Sequence, residues 1–165
     1  MSYKKYDPGR SIRYTRKSLR LATHNYGWSG TYFVTIRVKE PDPLFETPEL
    51  RSILTRVWLA LPERYPGLTL DEFVIMPDHI HFIMRLEGNV EKPTTLGAVI
   101  RAYKSITTVD WLHHIEATGL NCMGRFWQDN YYERIIRDER DLEQTREYIR
   151  NNPAKLMASR HNELL

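Results

Sequence analysis

This chain of 165 residues has a single cysteine, Cys122, so it has no partner for an internal disulfide. It also has no run near the roughly 18 apolar residues of a membrane span and no stretch laid out like a secretory signal. A cytoplasmic protein without a membrane partner is expected. No G-x-x-x-x-G-K-[ST] loop is present to cradle a nucleoside triphosphate. Internal repeats, low-complexity tracts and Gly/Ser linkers are missing too, and 41% hydrophobic residues are enough to fill one core. Acidic residues are scarce in one place. Over the first twenty residues Lys4, Lys5, Arg10, Arg13, Arg16, Lys17 and Arg20 stand against Asp7 alone, a local charge of +6 in a chain whose total is +3. Tyr3, Tyr6 and Tyr14 are interleaved with these cations. Such an arm suits a polyanion, because Lys and Arg neutralise phosphates while bases stack on phenol rings; a solvated tail is the alternative.

Periodicity supplies the organisation. Tyr32 to Val38 reads as a β-branched strand, and Glu49 to Leu61 as an amphipathic helix that Pro62 closes. Leu70 to Met76 and His79 to Leu86 form a hairpin across Met76-Pro77-Asp78. A second helix runs from Leu96 to Ile115, Tyr131 to Ile136 is a fourth strand, and Asp138 caps a last helix that ends before Pro153. The order βαββαβ followed by α predicts an α+β, ferredoxin-like fold: a four-stranded antiparallel sheet, two helices on one face and the other face free to bind a ligand.

Alternation along the hairpin's second strand sends Ile80, Phe82, Met84 and Leu86 toward the helices and His79, His81, Ile83 and Arg85 to the opposite face. Imidazoles two residues apart on one face can converge on a cation, although a bare His-x-His is also compatible with two polar residues on a half-exposed strand. In the last helix Leu142, Thr145 and Ile149 have core-facing spacing, whereas Tyr148 falls in line with Gln144 and Asn152. That stripe places a phenol among carboxamides, the position of a reactive group or of an amphipathic edge residue. Arg134, Arg137, Arg146 and Arg150 lie in or beside the fourth strand and this helix, where they are candidates to neutralise a bound strand. Asp78 is read as a turn residue pointing away from His79. Phe126-Trp127-Gln128 is either a base-stacking platform or the aromatic start of a strand. His24, His113, His114 and His161 lack ligand-like spacing and are read as surface residues.

Taken together, Pro77-Asp78-His79-Ile80-His81-Phe82, Trp127-Gln128, Tyr131 to Asp138 and Tyr148-Ile149-Arg150-Asn151-Asn152-Pro153 resemble the single-tyrosine HUH transposases, most closely their REP-associated branch. The likeness extends from about Thr31 to Leu156. It implies a basic arm over residues 1–30 and one catalytic domain over 31–165. It also implies that Tyr148 is the nucleophile, that His79, His81 and Asn152 are metal ligands, and that single-stranded DNA with an imperfect hairpin is the partner. Lys4, Lys5, Arg10, Arg13, Arg16, Lys17, Arg20, Arg134 and Arg137 are the expected DNA contacts, and monomer and homodimer are both open. Mixed nitrogen and oxygen ligands beside phosphate chemistry favour magnesium or manganese, with zinc the alternative. The competing functions are a non-catalytic nucleic-acid-binding module on the same fold and a zinc-dependent hydrolase.

Overall fold

The computed structural model describes residues 29–40, 43–88, 91 and 94–162, the last eight through their backbone only. Lys4, Lys5, Arg10, Arg13, Arg16, Lys17 and Arg20 lie outside the described residues. The elements are β1 (Gly30–Arg37), a 3₁₀ turn (Leu44–Glu46), α1 (Pro48–Arg64), β2 (Leu68–Ile75), β3 (His79–Leu86), α2 (Leu96–Thr118), β4 (Tyr132–Ile136) and α3 (Glu139–Asn162). The strands form one antiparallel sheet in the order β2-β3-β1-β4, as the ferredoxin-like reading requires.

Alternation divides each strand between two cores. Tyr32, Val34 and Ile36 of β1 and Ile80, Phe82, Met84 and Leu86 of β3 point to α1 and α2, where they meet Leu50, Leu54, Trp58, Val99, Ile100, Tyr103 and Trp111. Burying each such large side chain contributes about 1.5–3 kcal/mol, which makes this layer the main source of stability. The opposite face, expected to be free, carries a second and smaller cluster of Phe33, Ile83, Ile136 and Ile149, with Leu142, Val74 and Tyr148 packed against it. Helix α3 therefore covers the sheet. The reason is in the strands: Phe33 and Ile83 are apolar on that face, and the Leu142 and Ile149 stripe of α3 removes them from water.

Both prolines expected to end helices lie inside them. Pro62 sits in the last turn of α1, where Tyr65 still donates to the Leu61 carbonyl at 3.0 Å, and α3 continues through Pro153 to Asn162. A proline removes one N–H and crowds the preceding turn, so it weakens a helix at one rung without cancelling the bonds on either side. The expected cap is present: Asp138 Oδ1 accepts from the Asp141 amide at 2.8 Å. Gly119 ends α2 with φ +67°, a left-handed conformation that a residue without Cβ adopts freely.

Strand β2 has a bulge between Leu70 and Phe73, where three steps on β2 span two on β3. Leu68 and Leu70 face the main core before it, and Phe73 and Ile75 after it. The extra residue lets two successive side chains, Asp71 and Glu72, both reach α3. Asp71 accepts two hydrogen bonds from Arg146 at 2.7 and 3.0 Å, and Glu72 accepts one from Arg150 at 2.8 Å.

Candidate active site

The hairpin between β2 and β3 is fixed before either histidine appears. Met76 donates to the His79 carbonyl, Phe45 of the 3₁₀ turn to the Pro77 carbonyl, and Val38 at the end of β1 to the Asp78 carbonyl, all at 2.8–2.9 Å. Arg51 of α1 adds a bond to the Phe45 carbonyl at 3.1 Å. These contacts set where β3 begins, and register does the rest: His79 lies opposite Arg37, and His81 between Thr35 and Val74.

The two imidazoles converge as their spacing predicts, with Nε2 of His79 and Nε2 of His81 3.0 Å apart. Their outer nitrogens are both occupied. His79 Nδ1 meets Asp78 Oδ1 at 2.6 Å, and His81 Nδ1 meets Thr35 Oγ1 at 2.8 Å. Asp78 thus does not turn away from His79: it sits in the turn, ahead of the strand, where strand alternation does not govern direction. Its other oxygen is 3.5 Å from Arg37. The hydrogen bond from His79 holds the Asp78 carboxyl below the usual range. His81 is only 5% exposed, and burial, reinforced by the electrostatic influence of its neighbours His79 and Arg37, pushes its pKa down to about 3. A neutral imidazole at neutral pH keeps a lone pair for a ligand.

Helix α3 brings Tyr148 to this pair. Its ring lies 5.6 Å from that of His81 and 6.0 Å, edge-on, from Phe33, which in turn stacks on His81 at 5.5 Å. Asn152, one turn further along the same side of the helix, has a buried Nδ2 with no hydrogen-bond partner among the described residues. A half-turn of its carboxamide puts an oxygen in that enclosed position. Among the described residues no three His, Cys, Asp or Glu side chains gather around one point. The polar groups that could hold a divalent ion on this side of the sheet are the histidine pair and the Asn152 carboxamide.

The arginines have other employment. Arg134 donates to both oxygens of Asp141 at 2.6 and 2.8 Å and to Thr145 at 2.7 Å, tying β4 to α3. Arg146 and Arg150 are paired with Asp71, Glu72 and Glu143. Arg137 is exposed, and its backbone amide donates to Asp141 Oδ2 at 3.2 Å. Phe126 and Trp127 are 0% and 6% exposed, and Trp127 Nε1 donates to Thr107 Oγ1 at 2.9 Å. They belong to the main core and offer no stacking platform. Sequence reasoning missed Thr35, whose role depends on facing His81 across the β1–β3 ladder.

Comparison with known proteins gives this geometry its family. The model of the IS200-like transposases matches residues 26–152. A Haemophilus influenzae protein without an assigned function is 34% identical over 164 residues, covering 84% of this chain and 88% of that one. A second protein of the same organism, provisionally named a REP-associated tyrosine transposase, is 26% identical over 127 residues, covering 76% of this chain and 71% of its own length. The structure of a REP-associated tyrosine transposase bound to a REP hairpin shares the fold, with a TM-score of 0.60 at 22% identity over 80% of this chain and 71% of that one. No helix among the described residues is long and apolar enough to cross a membrane. With a family model matched over most of its length, the chain belongs to the IS200-like transposases.

Proposed function

We propose that this transposase cuts and rejoins single-stranded DNA beside a hairpin, with Tyr148 as nucleophile and His79, His81 and Asn152 as ligands of magnesium or manganese. The observation that carries the reading is the approach of the Tyr148 ring to within 5.6 Å of His81, whose Nε2 converges on that of His79. A divalent ion held there supplies charge stabilisation for the non-bridging phosphate oxygens. The protein's own work is positional. Leu142 and Ile149 seat α3 on the sheet, and Phe33 packs against both His81 and the tyrosine ring. The phenol oxygen forms a bond to phosphorus, the bond from phosphorus to the 3′ oxygen breaks, and that oxygen leaves as a 3′ hydroxyl once protonated. The phenol passes its proton to water as the new bond forms, so that protons balance across the step. The phosphoester is conserved in the tyrosine link, and a returning 3′ hydroxyl rejoins strands without ATP.

Cover of the sheet by α3 speaks against the rival binding module, which needs an open sheet face to stack bases. A hairpin partner is supported by the REP hairpin bound to the structural relative. The deciding experiment uses hairpin oligonucleotides labelled on either side of the cut. Wild-type protein with Mg²⁺ or Mn²⁺ should retain the 3′-side label after denaturation, through a 5′-phosphotyrosine, and Tyr148→Phe should retain none. Retention of the 5′-side label would reverse the polarity. Cleavage without any covalent product would favour the hydrolase.

A further inference from the structure

The hydrogen bonds around the histidines form a chain with a direction. The ionised Asp78 carboxylate only accepts, so at 2.6 Å from it His79 Nδ1 carries a proton, and a neutral His79 then presents a lone pair at Nε2. The two Nε2 atoms, 3.0 Å apart, cannot both be protonated, because two N–H groups would collide. A hydrogen bond across that gap therefore has His81 Nε2 as its donor and leaves His81 Nδ1 as an acceptor. At 2.8 Å from that nitrogen is a hydroxyl, Thr35 Oγ1, which is the donor in this tautomer and the acceptor in the other.

We propose that Thr35 and Asp78 are positioning residues for the divalent ion: Asp78 holds His79 with its Nε2 turned inward, and the Thr35 hydroxyl holds His81 with its Nε2 turned inward in either tautomer. This rests on the functional reading above. For His81 to offer a lone pair at Nε2, its proton passes through solvent to Nδ1, and a neutral imidazole stays neutral. Nδ1 changes from acceptor to donor, and its partner has to change from donor to acceptor. A hydroxyl does so by rotating about one bond; a carboxylate or an ammonium cannot. Arg37, 3.5 Å from the second oxygen of Asp78, anchors the other end of the chain.

Valine has the shape of threonine and favours strands, so Thr35→Val in β1 removes the hydroxyl and little else. Mn²⁺ titrated into the full-length protein, followed by the paramagnetic resonance of the free ion, should bind at least about tenfold more weakly to Thr35→Val and to Asp78→Ala. Thr35→Ser should restore affinity. Imidazole nitrogen resonances of the wild type give a second readout that no variant can confound. Without metal, His79 should carry its proton on Nδ1 and His81 on Nε2, and Mg²⁺ should move the His81 proton to Nδ1. If the wild type binds neither ion, the functional reading falls together with this inference. Unchanged Mn²⁺ affinity in Thr35→Val, or metal-free His81 protonated on Nδ1, overturns this inference alone.

Discussion

At the scale of single residues, arginines of similar appearance in the sequence divide into two kinds. Arg134 spends its guanidinium on Asp141 and Thr145, whereas Arg137 projects outward from the end of β4. The Asp141 carboxyl is held below its usual value although burial alone would raise it, because Arg134 and the Arg137 amide both donate to it. Arg134→Met should accordingly lower stability, by about 0.5–1 kcal/mol after solvent screening of a pair this exposed, as read from the urea midpoint. Arg137→Ala should leave the midpoint unchanged and reduce the slope of log affinity for hairpin DNA against log salt by about 1. Equal effects of the two substitutions on the salt slope would mean that Arg134 also reaches phosphate.

At the scale of elements, the proposed chemistry depends on the position of α3, because that helix carries Tyr148. Its apolar seat is small, centred on Phe33, Ile83, Ile136 and Ile149, so the ion pairs from Asp71 and Glu72 add alignment where the packing is thin. Both carboxylates face α3 only because the bulge shifts the phase of β2. The double variant Asp71→Asn, Glu72→Gln should unfold at lower urea than wild type in dilute salt, and the difference should shrink in concentrated salt as the charges are screened. Cleavage by this variant should slow more than its DNA binding weakens, since what it loses is the placement of the tyrosine. A variant that cleaves at the wild-type rate would show that the apolar seat alone sets α3.

At the scale of the whole molecule, charge is distributed unevenly, with +6 on the first twenty residues of a chain that totals +3. Removing residues 1–20 should weaken hairpin binding and flatten its salt dependence, because fewer counterions are released on association. Metal affinity should be unchanged, since the proposed ligands His79, His81 and Asn152 lie on β3 and α3. An unchanged salt slope would assign the arm to solvent and leave recognition to the folded domain.

The strands and helices, their order and the inward pairing of His79 with His81 were legible in the sequence because each follows from a local period, two along a strand or 3.6 along a helix. The Tyr148 and Asn152 stripe was legible for the same reason. What local period does not encode is which residues meet across a ladder or across the sheet. Thr35 meets His81 through the β1–β3 register, from 46 positions away, and Asp71 meets Arg146 across 75. The bulge in β2 depends on an unpaired residue that pairing with β3 alone defines. Pro153 reads locally as a stop, yet α3 runs through it, and the face that βαββαβ order leaves uncovered is closed by that helix. Sequence by itself determined the chemical groups and the side of each element on which they stand. The tertiary structure decided which groups share one space, because that depends on the apolar surface two distant elements must together remove from water.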